Sequence, residues 1–528
     1  MSDPPQDNGS KTAANDFFAT GTVSSSLRER SAASGMIVVS GRALQILLRL
    51  IAIATLARLL TPADFGVRAL VLPLIILTNS VMNLRLNVAA LQQEDLDSDG
   101  LGRVFRLSLR FNLLIVLIVA ALGPLLGEMY HDPRVVGVTG AWAAAIYVLN
   151  LGAFHEALLK RQMRFGVTTL IETLAMFVGM IVAILAASLG AGYWALVLEI
   201  GVLGLVRSTG AWIACPWRPP PRTRGKPDKR VTEMMRFGRN LAGFQILQWV
   251  GSQTDRVLVG LFGGAYVVGL YDGARRWGWL PTIELDGAIT EVAISSFSRA
   301  QEQPSNLRRL VRGAISATLF LSLPVTAFLF LEAEGAVRIL FGERWMGAVP
   351  FLRYMSFGAF FSALARPTGW IFTSLGRTRR QFRWGLFQTA VIFGTLLVGS
   401  ISGPRGIAAG YAAAHTFLAF PTIWFCLRGT SITLRDYLSA ALRPAIAAIA
   451  AGFAAIGAVS LFGDIGTPAR MTVEFAVFTT TYLLVWLALP GGPRAARDSW
   501  SLLLELARGA GARLRGTVPP AEANVTGD

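Results

Sequence analysis

Apolar runs of roughly twenty residues recur along most of this chain, separated by short polar segments. A helix needs about 20 such residues to cross hydrocarbon. Fourteen windows fit: 36–59, 65–91, 111–130, 135–158, 168–189, 191–214, 237–262, 265–297, 314–332, 347–374, 384–401, 406–427, 441–462 and 471–490. Pro73, Pro281, Pro324 and Pro367 fall inside windows and predict kinked spans, which are tolerated where a helix lines a cavity. The pattern predicts an all-α polytopic membrane protein.

Alternate loops differ sharply in basic residues. One set carries Arg103, Arg106 and Arg110; Lys160, Arg161 and Arg164; WRPPPRTRGKPDKR from Trp217; Arg308, Arg309 and Arg312; Arg377, Arg379, Arg380 and Arg383; and Arg428 and Arg435. The other holds little beyond Arg134, Arg338, Arg344, Arg405 and Arg470. The bias predicts cytoplasmic placement of the basic loops and of both termini. The polar stretch 1–34 lacks the regions of a signal peptide and reads as a disordered cytoplasmic tail.

Composition agrees: 53% of residues are hydrophobic, 15% are charged, and mean hydropathy is +0.51. The net charge of +17 raises nucleic acid as a partner, but the basic residues flank apolar runs rather than forming one stripe, which excludes it. Cys215 and Cys426 form no CxxC motif, and His131, His155 and His415 are scattered, so no cofactor, metal or structural disulfide is expected.

The segment from Pro216 to Arg230 reads as a linker, after which the chain restarts a similar pattern. The predicted organisation is a tail (1–34), a six-helix lobe (35–215), a linker (216–236), a second six-helix lobe (237–430), two added spans (431–492) and an amphipathic cytoplasmic tail (493–528).

Charges within spans carry the functional signal, because an ion at mid-bilayer costs roughly 2.5–3.5 kcal/mol. Arg58, Arg68, Arg207 and Arg239 read as snorkelling residues near interfaces. The first span places Arg42, Gln45 and Arg49 on one face, and the second surrounds Arg85 with asparagines. Arg275 and Arg276 lie in the eighth, and Arg366 precedes Pro367. Guanidinium groups match phosphate oxygens, so a shared cavity would suit phosphate or pyrophosphate. Simple pairing with Glu172, Glu199, Asp255, Glu284, Asp286 or Glu291 is the structural alternative. Asp255 shares a polar stripe with Gln245, Gln248 and Ser252 and adjoins Arg256. It is either a coupling or gating residue or half of a salt bridge.

ARLLTPADFGVRAL with NLRLNVAALQQEDL, and QTDRVLVGLFGGAYVVGLYDGARRWGWLP with ITEVAISSFSRAQ, resemble bacterial polysaccharide transporters. These are flippases for lipid-linked oligosaccharides within the multidrug/oligosaccharidyl-lipid/polysaccharide exporter superfamily, and the likeness covers most of residues 35–430. It implies two six-helix lobes around a cationic cavity. Alternating access there moves an undecaprenyl-pyrophosphate-linked glycan across the cytoplasmic membrane for O-antigen, capsule or exopolysaccharide synthesis. By motif the resemblance carries cavity arginines onto Arg85 and Arg276. Arg42 and Arg49 miss the family's first-helix register, and Arg49 is chosen on helical-face grounds. The expected substrate contacts are Arg49, Arg85, Arg275, Arg276 and Arg366, with Asp255 for coupling and Arg42, Gln248, Arg256 and Glu172 as further candidates. Expected partners are the lipid-linked oligosaccharide, membrane lipids and a polysaccharide polymerase or ligase, around a monomer.

Two other classes compete. A membrane glycosyltransferase, polymerase or ligase is expected to carry a sizeable outer loop with catalytic groups, whereas the longest here surrounds EAEGAVRILFGERW. A multidrug antiporter of cationic substrates favours an acidic cavity, which the arginine excess opposes. GSQTDR begins like a major-facilitator loop motif, but Leu258 replaces the expected glycine and the segment is a span.

Overall fold

The computed structural model describes residues 25–82, 98–162, 164–220, 229–462 and 467–489. Side chains at 25–39, 80, 81, 98, 99, 229–248, 250, 281, 284–288, 291, 292, 459, 461, 462, 467 and 468 lie outside that description. Expectations on Arg85, Arg239, Gln248, Glu284, Asp286 and Glu291, and on the tail 493–528, therefore fall outside the described residues.

The chain is helical: α1 (Ser25–Leu59), α2 (Pro62–Met82), α3 (Ser98–Ala121), α4 (Gly123–Met129), α5 (Arg134–Leu151), α6 (Ala153–Arg161), α7 (Phe165–Ser188), α8 (Trp194–Ala214), α9 (Lys229–Ala300), α10 (Pro304–Leu331), α11 (Ala333–Leu340), a 3₁₀ turn (Glu343–Ala348), α12 (Val349–Ala365), α13 (Thr368–Ser374), α14 (Thr378–Ser400), α15 (Gly403–Leu427), α16 (Leu434–Phe462) and α17 (Thr467–Ala488). Among the described residues eleven segments are long and apolar enough to cross a membrane. That criterion leaves out α1, with Arg42, Arg49 and Arg58, and α15, with His415 and Pro421, and takes one window across both arms of α9. The expected fourteen therefore stands as a proposal.

Helix boundaries depart from the apolar windows where amphipathic ends extend them. α1 begins at Ser25, inside the stretch read as tail, and α3 begins at Ser98, well before its apolar window. α9 starts at Lys229, inside the expected linker. The start of that linker is docked: Trp217 is buried beside His155, and Arg106 Nη1 donates to Pro220 O at 2.6 Å. The chain passes Pro73 and Pro324 within continuous helices, whereas α12 ends at Ala365 and α13 starts just beyond Pro367.

The exterior is apolar along helical stripes. Leu170, Leu174, Phe177, Ile181 and Leu185 recur at three- and four-residue spacing on the exposed face of α7. Water would not tolerate such a stripe, and lipid does. The opposite face packs through small residues: a Cβ on Gly179 would lie 3.0 Å from Glu199 O of α8.

One apolar core joins the two halves of the chain, combining Val67, Leu70 and Trp142 with Val268, Tyr271, Trp345 and Met355. It lies toward the arginine-poor ends of the helices, where Trp345 Nε1 donates to Ala57 O at 2.9 Å and Arg58 Nη2 to Ile339 O at 3.0 Å. A second core gathers α10, α13, α15, α16 and α17 around Leu319, Trp370, Cys426 and Trp486.

Candidate functional site

Two local features place the central charges. Thr61-Pro-Ala-Asp64 caps α2: Thr61 N and Oγ1 donate to Asp64 Oδ2 at 2.9 and 2.6 Å, and Asp64 N donates back to Thr61 Oγ1 at 3.3 Å. This starts α2 so that Phe65 and Arg68, one and two turns on, line a cavity. The second feature is Gly264, whose φ of 65° and ψ of −171° form a conformation open only to glycine. It folds α9 back on itself. Residues sixteen apart in a straight helix are roughly 24 Å apart, yet Arg256 Nε lies 2.6 Å from Asp272 Oδ1.

The first cavity encloses about 360 Å³. Gln45 and Arg49 of α1, Arg68 of α2, Glu172 of α7, Glu199 and Arg207 of α8, and Arg276 of α9 all line it, so four arginines meet two glutamates. The acids are not shared evenly. Arg207 grips Glu156 through Nε and Nη2 at 2.9 and 2.8 Å and donates from Nη2 to Glu172 at 3.0 Å, with Lys160 also against both acids. Arg68 lies over the Trp142 ring at 5.6 Å, and its buried Nε has no hydrogen-bond partner. Arg276 reaches Asp272 only at 3.7 Å, the closer contact of that acid being with Arg256. Among the described residues, Arg68 and Arg276 are thus held less closely by acids than Arg207, with Glu199 the remaining acid of the wall.

Arg275 and Arg276 are sequence neighbours that face different ways, since one residue rotates a helix by about 100°. Arg275 Nε pairs with Asp255 Oδ2 at 2.9 Å, and its Nη2 donates to Ser252 O at 2.9 Å and to Tyr411 Oη at 3.3 Å. Asp255 is 1% exposed and also accepts from Tyr271 Oη at 2.6 Å, while its Oδ1 has no hydrogen-bond partner. Its partner is Arg275, twenty residues on; the adjacent Arg256 belongs to Asp272 and to Gln253 Oε1.

Arg366 lines a second cavity of about 1080 Å³ between α12–α13, α14 and α15, together with Arg379, Arg383, Trp384, Gln388 and His415. Of the expected contacts, then, Arg49, Arg276 and Glu172 meet in the first cavity, and Arg275 and Arg366 do not join them. Exposed Arg42, one turn from Gln45, is absent from the described lining. Two residues expected to snorkel have partners within the fold: Arg68 lines the cavity wall over Trp142, and Arg207 is held by Glu156 and Glu172. Asp272 and Tyr271 were missed, although Asp272 stands one helical turn before Arg276. Among the described residues no group of His, Cys, Asp and Glu is arranged to hold a metal, and both cysteines are buried and free.

A family model described as polysaccharide biosynthesis protein matches residues 55–350. The chain belongs to that family. Its relatives include the lipopolysaccharide biosynthesis protein WzxC of Escherichia coli, 22% identical over 73% of this chain and 78% of that one. The succinoglycan biosynthesis transport protein ExoT of Rhizobium meliloti is 24% identical over 74% of this chain and 76% of its own length. Among solved structures, the fold matches lipid II flippase MurJ in an inward closed conformation with a TM-score of 0.66 at 12% identity, covering 86% of this chain and 98% of MurJ. An inward-facing multidrug transporter of the MATE family matches with a TM-score of 0.59 at 16% identity, over 75% of this chain and 98% of that one. This member of the polysaccharide biosynthesis family is thus a multi-pass, all-helical membrane protein whose fold matches the MurJ and MATE-family structures.

Proposed function

We propose that this chain is a flippase that carries an undecaprenyl-pyrophosphate-linked oligosaccharide across the bacterial cytoplasmic membrane for surface-polysaccharide synthesis. The observation that carries the reading is the convergence of Arg49, Arg68 and Arg276, from opposite halves of a MOP-type fold, on the wall of one cavity. ExoT's description as a transport protein and MurJ's as a lipid II flippase support the reading.

In this mechanism the basic loops face the cytoplasm with both termini, and two six-helix lobes with two further spans account for fourteen crossings. The three guanidiniums hold the pyrophosphate by charge-assisted hydrogen bonds while the polyprenyl tail stays in lipid. The lobes alternate between inward and outward states, and a driving force biases them only through interactions that differ between the states. Asp255 acts there through Arg275, whose neighbour Arg276 touches the substrate. Arg85 belongs to the same binding set by motif. The protein works as a monomer, with a polymerase or ligase receiving the product.

The test is lipid-linked oligosaccharide on the inner leaflet of cells lacking the protein, complemented with wild type, Arg276→Gln or Arg68→Gln at equal expression. Accumulation relieved by wild type and not by the variants is expected. Normal translocation without the protein, with failure only at polymerisation or attachment, would replace the flippase with an enzyme acting on the same lipid.

A further inference from the structure

The second cavity is three times larger than the first, and pyrophosphate recognition does not account for it. Pockets of roughly 300–1,000 Å³ take drug-sized molecules, so about 1080 Å³ suits several sugar rings rather than a lone diphosphate. Its described lining holds Arg366, Arg379 and Arg383 and no Asp or Glu.

A topological bias toward positive loops explains why arginines cluster before α14, but not where they point. Arg377 and Arg380, three apart, close the end of α15: both donate to Arg428 O, Arg377 also to Gly429 O, and Arg380 to Phe425 O at 2.6 Å. Arg379 and Arg383, four apart, share another helical face and line the cavity. Arg379 and Arg383 are exposed, so water screens part of their mutual repulsion, and an anion bound between them offsets the rest. In the first half of the chain, Arg207 at the corresponding arginine-rich end is neutralised by Glu156 and Glu172. The described lining of the first cavity includes Glu172 and Glu199, so arginines without an acid in the wall distinguish the second.

The remaining wall suits sugar. Trp384 is fixed by Nε1 donating to Thr422 Oγ1 at 3.1 Å and by stacking on Phe425 at 4.7 Å, which presents a rigid aromatic face to apolar C–H groups. Gln388 adds an amide beside it, and Nε2 donates to the same Thr422 hydroxyl at 3.0 Å. Only a few side chains separate the two cavities: Arg276 lines the first, adjacent Arg275 bonds Tyr411, and the Tyr411 ring lies 4.7 Å from His415, which lines the second.

We propose that this second cavity is a subsite for carboxylate-bearing sugars of the glycan, so that the chain selects an acidic repeat unit. Arg379 and Arg383 take the carboxylate, Trp384 carries the ring, and the pyrophosphate stays on Arg49, Arg68 and Arg276. The inference rests on the flippase reading and refines its substrate.

The full chain in nanodiscs is titrated with trigalacturonate, with the same trisaccharide after carboxyl reduction, and with inorganic pyrophosphate. Trigalacturonate is expected to bind at least roughly tenfold tighter than its reduced form. The double variant Arg379→Gln/Arg383→Gln should lose that preference and keep pyrophosphate affinity, whereas Arg379→Lys/Arg383→Lys, which preserves charge, should retain most of it. Equal binding of acidic and reduced trisaccharides overturns the proposal. So does an unchanged preference in the monodisperse glutamine variant, or a fall in its pyrophosphate affinity, which would make this the phosphate station. Failure of the flippase reading shows in a separate arm, as wild type that binds no pyrophosphate and as unimpaired translocation in cells without the protein.

Discussion

Arginines of the same cavity wall carry different burdens, and the difference is measurable. Arg207 is held by Glu156 and Glu172, so Arg207→Gln leaves two partly buried carboxylates beside Lys160. At 30% side-chain exposure the loss is discounted from that of a fully buried pair, to about 1–3 kcal/mol. The thermal midpoint in detergent should fall, and adding Glu156→Gln should restore part of it. Arg276→Gln should melt like wild type yet stop translocation, because Asp272 keeps Arg256. The buried Asp255–Arg275 pair calls for a double variant, since Asp255→Asn alone leaves Arg275 charged without its carboxylate, at a cost of up to about 3–5 kcal/mol. With Arg275→Gln added, stability should return while transport stays lost. Recovery of both would reduce the pair to scaffolding. None of this sorting was legible from sequence. Arg275 and Arg276 adjoin there, as do Asp255 and Arg256, and only the fold at Gly264 shows which neighbour meets which acid. That Arg68 and Arg207 line a cavity was not legible either, because an apolar window gives a position along a span and not the cavity beside it.

Among the helices, the apolar windows were legible because a spanning segment is written continuously in sequence, and so was the break at Pro367. The ends were less so, since α3 and α10 extend along amphipathic turns that hydropathy alone ignores. The contact between the end of α10 and α17 was also hidden. Glu332, just past α10, has its carboxyl pushed up to about 8, first by burial and then by its hydrogen bond to Glu474. Glu474 is 3% exposed, receives Arg470 Nε at 3.0 Å on Oε1 and has no partner on Oε2, and Glu334 adds a further negative charge. The unfolded chain releases the Glu332 proton near 4.5, so the folded state binds more protons between 4.5 and about 8. Stability should therefore be greatest at the acid end of that window and decline as pH rises through it. Melting from pH 5 to 8.5 should show a drop of roughly 1–3 °C that Glu332→Gln abolishes. An equal slope in the variant would place the titration elsewhere.

For the molecule as a whole, the proposed alternating access requires that the seam between the two halves be able to open, and the close approach there depends on two glycines. A Cβ on Gly66 of α2 would stand 1.6 Å from Ala265 O, and one on Gly269 would stand 1.9 Å from Pro62 O. Backbone thus meets backbone between the two halves, beside the Trp345–Ala57 and Arg58–Ile339 hydrogen bonds. Neither carbonyl can swing aside as a side-chain tip would, so the added methyl of Gly66→Ala or Gly269→Ala is relieved mainly by moving the halves apart. In the proposed mechanism, an outward state that releases this contact would carry no such clash. The substitution therefore acts on one state only, and each 1.4 kcal/mol of difference shifts the populations about tenfold. Spin labels on cysteines placed at Arg58 and Ile339 should report a longer distance in Gly269→Ala than in the glycine parent, with translocation slowed because return to the closed form is impeded. An unchanged distance with full transport would mean that the halves do not separate at this seam. The opening would then have to lie along another face of α9.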